Sequence, residues 1–301
     1  MEQKVAVLGL IAASLTWAIG GISYKIFLDA GLPYLFILWI LAIFRLISVW
    51  VISDFKKVKH EIVDNIPELK LILLNGLFGL ATPLFFITAI LYTSLSTVYF
   101  VSYTAPAWVL VFAVLFLGEK INPKKLFGLA LTLIGVCLIT NPANISLDIG
   151  IILAFLSALT YAGDIITGRE LKDYSYHTVS IYTTGFRVIC LTITMFLFSE
   201  IPALENIWFL IFLMAIIGLF RGLASDFYYY ALEKLEASIA SIITLAELIF
   251  ASIIAFLIFN ETHTLIEITG YSLVIIAGLI ILLRKSDIEH FEYLLRLRRK
   301  H

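Results

Sequence analysis

Cysteine is nearly missing from this chain. Cys137 and Cys190 are the only two in 301 residues and both lie inside apolar runs, which excludes a disulfide framework and a cysteine-rich metal site. Charge is scarce as well, at 14% Asp, Glu, Lys and Arg against about 25% in soluble domains. The 21 basic and 22 acidic residues leave a net charge of −1, so there is no polybasic footprint and nucleic acid is excluded as a main partner. The five histidines are scattered through loops, ends and tail without metal-ligand spacing, and no phosphate-cradling glycine loop occurs. A resident metal, an organic cofactor and ATP hydrolysis by this chain alone are therefore not expected. What is abundant is apolar side chain. At 61% hydrophobic residues, against about 45–50% in soluble proteins, the composition marks an integral membrane protein.

Apolar stretches of about 17 to 25 residues, the length that crosses a hydrocarbon core of about 30 Å, lie near residues 5–24, 33–52, 69–91, 95–117, 123–140, 149–168, 177–198, 207–231, 237–259 and 264–283. Lipid cannot satisfy backbone polar groups, so these ten runs are read as helices, spans 1 to 10 of an all-α fold. The first is longer than a signal-peptide core, lacks an evident small-residue cleavage site, and is read as retained. Basic residues concentrate on alternate connections: Lys4; Lys56, Lys57, Lys59 and Lys70; Lys120, Lys124 and Lys125; Arg169 and Lys172; Lys234; and the cluster from Arg284 to Lys300. The opposite connections hold only Lys25. The positive-inside bias predicts a multi-pass plasma-membrane protein with both termini cytoplasmic. After residue 285, Ile288, Phe291, Leu294 and Leu295 precede Arg296, Arg298, Arg299 and Lys300. Residues 286–301 are read as a basic amphipathic cytoplasmic tail, either held by anionic lipid or merely solvated.

The chain repeats itself at an offset of about 142 to 144 residues. Ser14-Leu15-Thr16-Trp17-Ala18 returns as Ala158-Leu159-Thr160-Tyr161-Ala162, Phe44-Arg45-Leu46-Ile47 as Phe186-Arg187-Val188-Ile189, and Glu119 with Gly128 as Glu261 with Gly270. Five spans per copy is an odd number, so the second copy enters from the opposite face. The expected architecture is two inverted five-helix repeats, 1–140 and 141–285, around a central cavity, which points to alternating access.

With these segments, Pro106, Gly118-Glu119, Gly128 and Gly135 in the first half and Ala231-Leu232, Ala246-Glu247-Leu248, Asn260-Glu261, Gly270 and Gly278 in the second, the sequence resembles the EamA-like branch of the drug/metabolite transporter superfamily over almost its whole length. The resemblance implies a ten-helix secondary carrier of small organic metabolites. Two departures stand out. Leu248 occupies a place where the family often has proline, and Asn260 replaces a glycine, which weakens the expectation of a break or kink in span 9.

Charges within the spans are few: Arg45, Asp164, Arg187, Arg221, Asp226 and Glu247. At about 1.5 Å per residue, Arg187 and Glu247 both fall about 15 Å from the cytoplasmic ends of their spans. Ionisable groups at such depth are costly unless they face protein or water. Two readings stay open, contact with substrate or a buried arginine–carboxylate network that fastens helices. In span 9, Ala240, Thr244, Glu247, Ala251 and Ala255 share one helical stripe, either a packing seam or a cavity face. Trp17, Tyr99, Tyr103 and Tyr161 lie deep, and aromatic faces beside a carboxylate suit a cation or an aromatic metabolite. The candidate substrate-binding set is Trp17, Tyr99, Tyr103, Tyr161, Arg45, Arg187, Thr244 and Glu247, with Glu247 and Asp164 as candidates for coupling or gating. The run Phe227 to Tyr230 is read as an interface belt, Gly218 and Gly222 as packing within the chain, and Glu119 and Glu261 as charges favouring the helices that follow them.

The expected activity is secondary transport of a small organic metabolite. Efflux of an amino acid or related compound comes first, as the resemblance implies; uptake of an organic cation or another nutrient is the alternative, and a multispan membrane enzyme is the competing class. Expected partners are the metabolite, a coupling proton or ion, membrane lipid and, at most, a weakly bound second copy of a monomeric chain.

Overall fold

The computed structural model describes residues 2–53, 58, 69–141, 148–198, 202, 207–259 and 264–282. Among them the chain is all-helical: α1 (Glu2–Asp29), α2 (Tyr34–Ile52), α3 (Leu69–Ile90), α4 (Leu95–Ser102), α5 (Ala105–Leu117), α6 (Pro123–Thr140), α7 (Ile149–Glu170), α8 (Tyr176–Phe198), α9 (Ile207–Lys234), α10 (Ala237–Ile243), α11 (Ala246–Phe259) and α12 (Leu265–Leu282). The pairs α4–α5 and α10–α11 each make one span, so the described residues hold ten helices long and apolar enough to cross a membrane. The tail 286–301 and Glu261 lie outside the described residues.

Local chemistry sets several of these ends. Asn122 caps α6 by accepting the Lys125 N–H at 2.9 Å, with Pro123 opening the first turn, and Asp148 caps α7 through the Ile151 N–H at 2.9 Å. Each cap satisfies a donor that the helix itself leaves unpaired. Gly118, at φ 64, ends α5 in the left-handed conformation that glycine adopts without steric cost. Outward faces carry large apolar side chains, among them Phe196, Phe198, Trp208 and Leu257. In water such a surface would be a liability, and in lipid it is solvated.

The two halves interlock. Helix α3 packs on α7 and α8, α9 packs on α1 and α2, α2 meets α8, α6 meets α12, α1 meets α11, and α5 meets α7. Exchanging the first five spans with the last five turns this set of pairs into itself. The correspondence reaches individual residues. A Cβ on Gly76 would lie 2.7 Å from the Phe186 ring, and one on Gly218 would lie 2.6 Å from Phe44. The Phe-Arg segment of each half thus seats its phenylalanine on a glycine of the other half, where only the missing side chain lets the backbones approach. Gly218 and Gly222 are spent in this packing against α2. At the other side, a Cβ on Gly135 of α6 would meet the Gly270 carbonyl oxygen at 2.8 Å, and one on Gly270 would meet that of Gly135 at 2.7 Å, while Gly128 faces Ala277 and Ile281. Rising numbers on α12 meet falling numbers on α6, so this pair runs antiparallel.

Candidate functional site

Spans 4 and 9 are both interrupted, and at matching places. Tyr103 and Thr104 separate α4 from α5, and Thr244 and Leu245 separate α10 from α11. Pro106 stands in the first turn of α5 and supplies one cause, since proline cannot donate within a helix. Span 9 breaks without a proline, contrary to what Leu248 suggests. Its break shares a different device with span 4. The Thr104 hydroxyl donates to the Val101 carbonyl at 2.6 Å, and the Thr244 hydroxyl donates to the Ser241 carbonyl at 2.8 Å. Each takes up a carbonyl three residues back and competes with the regular helical ladder. The N–H groups of Leu245, Glu247 and Leu248 then bond three residues back rather than four, a tighter 3₁₀ geometry. The continuous stripe expected from Ala240 to Ala255 is therefore two short stripes joined by a turn.

Five of the eight candidate binding residues gather around these breaks. Tyr99 and Tyr103 stack with ring centroids 5.5 Å apart and 4° between planes. The Tyr161 hydroxyl faces the Thr244 side chain, and Glu247 acts electrostatically on Tyr99, Tyr103 and Tyr161. Glu247 sits in the first turn of α11, where the positive end of the helix dipole favours a carboxylate. Its carboxylate makes no hydrogen bond or ion pair among the described residues, and Arg221 is the cation that acts on it.

Asp164 and Arg187 belong to a second, tightly satisfied group. The Arg187 Nη2 lies 2.7 Å from Asp164 Oδ1 and 3.3 Å from the Tyr229 hydroxyl. Tyr228 donates to Asp164 Oδ2 at 3.0 Å, and Tyr229 donates to Asn75 Oδ1 at 2.7 Å. Asn75 returns two bonds to α7, to the Asp164 carbonyl at 2.7 Å and to Thr167 Oγ1 at 2.9 Å. The guanidinium lies where a side chain on Gly79 would stand. Four spans meet here, and these contacts are of the kind that fastens helices, while Arg187 also lines the cavity described next. Trp17 touches this group edge-on through the Tyr228 ring at 5.3 Å. The interface-belt reading of 227–230 fails for its middle: Tyr228 and Tyr229 are each 3% exposed, while Phe227 faces outward. Helix α9 runs to Lys234, past the expected end of its span near residue 231, which places both tyrosines deeper than their distance from that end suggests.

Arg45, the repeat mate of Arg187, stands differently. It lines a cavity of about 60 Å³, with Tyr24, Thr184, Arg187 and Arg221 as its other polar walls and Leu38, Leu80 and Leu191 among the apolar ones. Arg45 Nε and Thr184 Oγ1 are buried without a hydrogen-bond partner. Arg221 donates to the Tyr24 hydroxyl at 3.1 Å and lies 5.5 Å from that ring's centroid. Sequence reasoning missed Asn75, Tyr228 and Tyr229, and it counted Arg221 among the deep charges without assigning it a place. The signal for the tyrosines was present: Gly218, Gly222, Ser225 and Tyr229 follow steps of four, three and four, one face of α9.

Near the end the positive-inside rule calls cytoplasmic, Glu119 crosses between halves. Its Oε1 accepts the Ala237 N–H at 2.6 Å, its Oε2 accepts the Ser238 hydroxyl, and Lys125 bridges it to Glu236 at 3.0 and 2.7 Å. The dipole it serves is that of α10, 118 residues away in the other half, rather than that of α6.

Comparison with known proteins agrees with this architecture. The EamA-like transporter family matches residues 4–141 and again 148–284. An uncharacterized transporter of Archaeoglobus fulgidus is 27% identical over 70% of this chain and 75% of its own. A transporter of Clostridium kluyveri, likewise uncharacterized, is 27% identical over 76% of each. The pseudopaline exporter CntI of Pseudomonas aeruginosa strain UCBPP-PA14 is 25% identical over 69% of this chain and 72% of its own. A crystal structure 14% identical in sequence covers 92% of this chain and 96% of its own with a TM-score of 0.71, which speaks to the fold alone. Ten apolar helices, paired between halves and matched twice by one family, make this chain a multi-pass membrane transporter that belongs to the EamA-like transporter family, within the drug/metabolite transporter superfamily.

Proposed function

We propose that the chain is a secondary carrier exporting a small organic metabolite, an amino acid or a related compound, by alternating access between two inverted halves, 1–140 and 141–285. The antiparallel α6–α12 seam supports the inverted relation, since the pair maps onto itself when the halves are exchanged. The observation that carries the reading is the convergence of Tyr99, Tyr103, Tyr161, Thr244 and Glu247 on two helix breaks at matching places in the two halves. Interrupted spans place polar ends and irregular backbone at mid-membrane, where carriers bind their cargo. In this reading Trp17, Arg45 and Arg187 complete the substrate site, Glu247 carries the coupling proton or the cargo's cationic group, and Asp164 gates through its hold on Arg187. The name of the Pseudomonas exporter favours the outward direction. An unpaired carboxylate ringed by tyrosines also suits an organic cation, which keeps uptake of such a compound as the second reading.

Purified protein in liposomes should move labelled amino acids down a gradient, and an imposed proton gradient should accelerate that movement. Turnover of a compound without vectorial movement would replace transport with enzyme chemistry. The orientation in the plasma membrane, both termini inside, has its own test. Single cysteines placed at Lys124 and Lys172 should resist impermeant thiol reagents applied to intact cells, and those at Asn144 and Ile201 should react. The reverse pattern would invert the assignment.

A further inference from the structure

The two repeat-related arginines are unequally provided with counter-charge. Arg187 has Asp164 on span 6, at 2.7 Å. By the offset that aligns Trp17 with Tyr161, the residue of span 1 matching Asp164 is Gly20, which carries no side chain. In its place lies a third guanidinium, since a Cβ on Gly20 would meet Arg221 Nη1 at 2.6 Å. Neither Arg45 nor Arg221 has a carboxylate within ion-pair distance among the described residues. Three acidic groups act on these arginines from farther off. Asp164, already paired with Arg187, and Asp226, whose Oδ2 is turned to His177 at 3.2 Å, act electrostatically on Arg45, and Glu247 acts on Arg221. The cavity between the arginines thus holds two cations without a direct ion-pair partner among the described residues, an unpartnered Nε, an unpartnered threonine hydroxyl and the Tyr24 ring. Buried donors and charges of this kind are costly unless a partner arrives.

We infer that this cavity binds the carboxylate of the cargo, with Arg45 and Arg221 as the cationic clamp and Thr184 as an added donor, so that the substrate class is a small organic carboxylate. The inference rests on the transport reading and adds to it the acidic end of the molecule carried. A carboxylate supplies what Asp164 supplies to Arg187, and guanidinium is the side chain suited to binding it by two parallel hydrogen bonds. The lack of a side chain at Gly20 is then a requirement of function. A side chain there would displace the Arg221 guanidinium that forms half of the clamp.

The test uses the purified full chain and five probes: L-phenylalanine, L-glutamate, L-leucine, benzoate and glutarate, each beside its amide. A ligand that prefers the folded protein raises its apparent stability in proportion to occupancy. At least one carboxylate should raise the unfolding temperature while its amide does not. Arg45→Gln and Arg221→Gln should weaken that probe by at least about tenfold, the scale of a lost charge-assisted bond. Arg45→Lys should recover part of the loss, and Thr184→Val should lose less than the arginine variants. Arg45→Gln should unfold at or above the wild-type temperature without ligand, because it strands no partner and removes a buried charge that lacks one. The inference is overturned if no carboxylate stabilises the protein, if amides serve as well as acids, or if both glutamine variants bind as wild type. The two readings fail separately. Liposome flux of an amine that survives Arg45→Gln would remove the carboxylate clamp and leave the carrier standing, whereas absence of flux for every probe would remove the carrier.

Discussion

Glu247→Gln is expected to leave the protein folded and to slow gradient-driven transport by at least about tenfold, equivalent to ~1.4 kcal/mol. The two halves of that expectation have different sources. Stability should hold because the Glu247 carboxylate makes no hydrogen bond or ion pair among the described residues, and the amide keeps its size and shape at the start of α11. Transport should suffer because an ionisable group at mid-membrane is costly, and this one stands among three tyrosines with only Arg221 acting on it as a cation. If the residue carries only the coupling proton, exchange of substrate across liposomes without a gradient should survive in the variant while the dependence of flux on pH flattens. If it holds the cargo's cationic group, binding and exchange should fall together. A variant of normal stability whose flux and pH profile match the wild type would remove Glu247 from the mechanism.

Asp164→Asn should do the opposite and cost stability first. Removing one partner of a buried ion pair leaves the other charge uncompensated, at about 3–5 kcal/mol. Here the stranded Arg187 would keep only Tyr229 and two backbone carbonyls of α3, at 3.3 to 3.4 Å. Arg187→Gln should lower the unfolding temperature comparably, since it strands Asp164 with Tyr228 alone among side chains. The double variant Asp164→Leu/Arg187→Met should be more stable than either single change, because no lone charge remains in it. Thermal unfolding in detergent of these three proteins and of Arg45→Gln orders them by the burial of unpaired charge. Equal stability of Asp164→Asn and wild type would remove the network as a fastening.

The spans were legible because the bilayer imposes length and apolarity together, and neither depends on partners. The repeat was legible for a related reason, since charged and aromatic residues in an apolar background are rare enough to align. The break in span 9 was not, because the expectation looked for proline, while the device is a threonine hydroxyl bonded to its own helix. Nothing in composition separates Thr244 from any other helical threonine; only its match with Thr104 does. The roles of Arg45 and Arg187 were left open for a stronger reason. They occupy equivalent places in sequence, and what distinguishes them is the presence of Asp164 in one half and Gly20 in the other, a difference visible once the helices are packed. Glu119 was assigned to the helix next to it in sequence, and long-range capping of α10 is invisible to a local reading. Tyr99, Tyr103, Tyr161, Thr244 and Glu247 gather in the structure because the two breaks face each other, and the sequence singled them out only as polar or aromatic residues inside the spans.

The seam at Gly135 and Gly270 carries a mechanical consequence. Each glycine sits against the carbonyl oxygen of the other, so spans 5 and 10 touch backbone to backbone at one point and with side chains on either side. Such a contact is a pin. It resists separation of the two helices, and Ile139, Leu273, Val274 and Ile281 interlock around it along the pair. None of its residues lines the cavity, so in the proposed alternating-access cycle the seam would hold the two halves together while the cavity walls change. A single methyl at either glycine would meet the facing carbonyl oxygen at 2.7 to 2.8 Å and drive the two halves apart at the contact that joins them backbone to backbone.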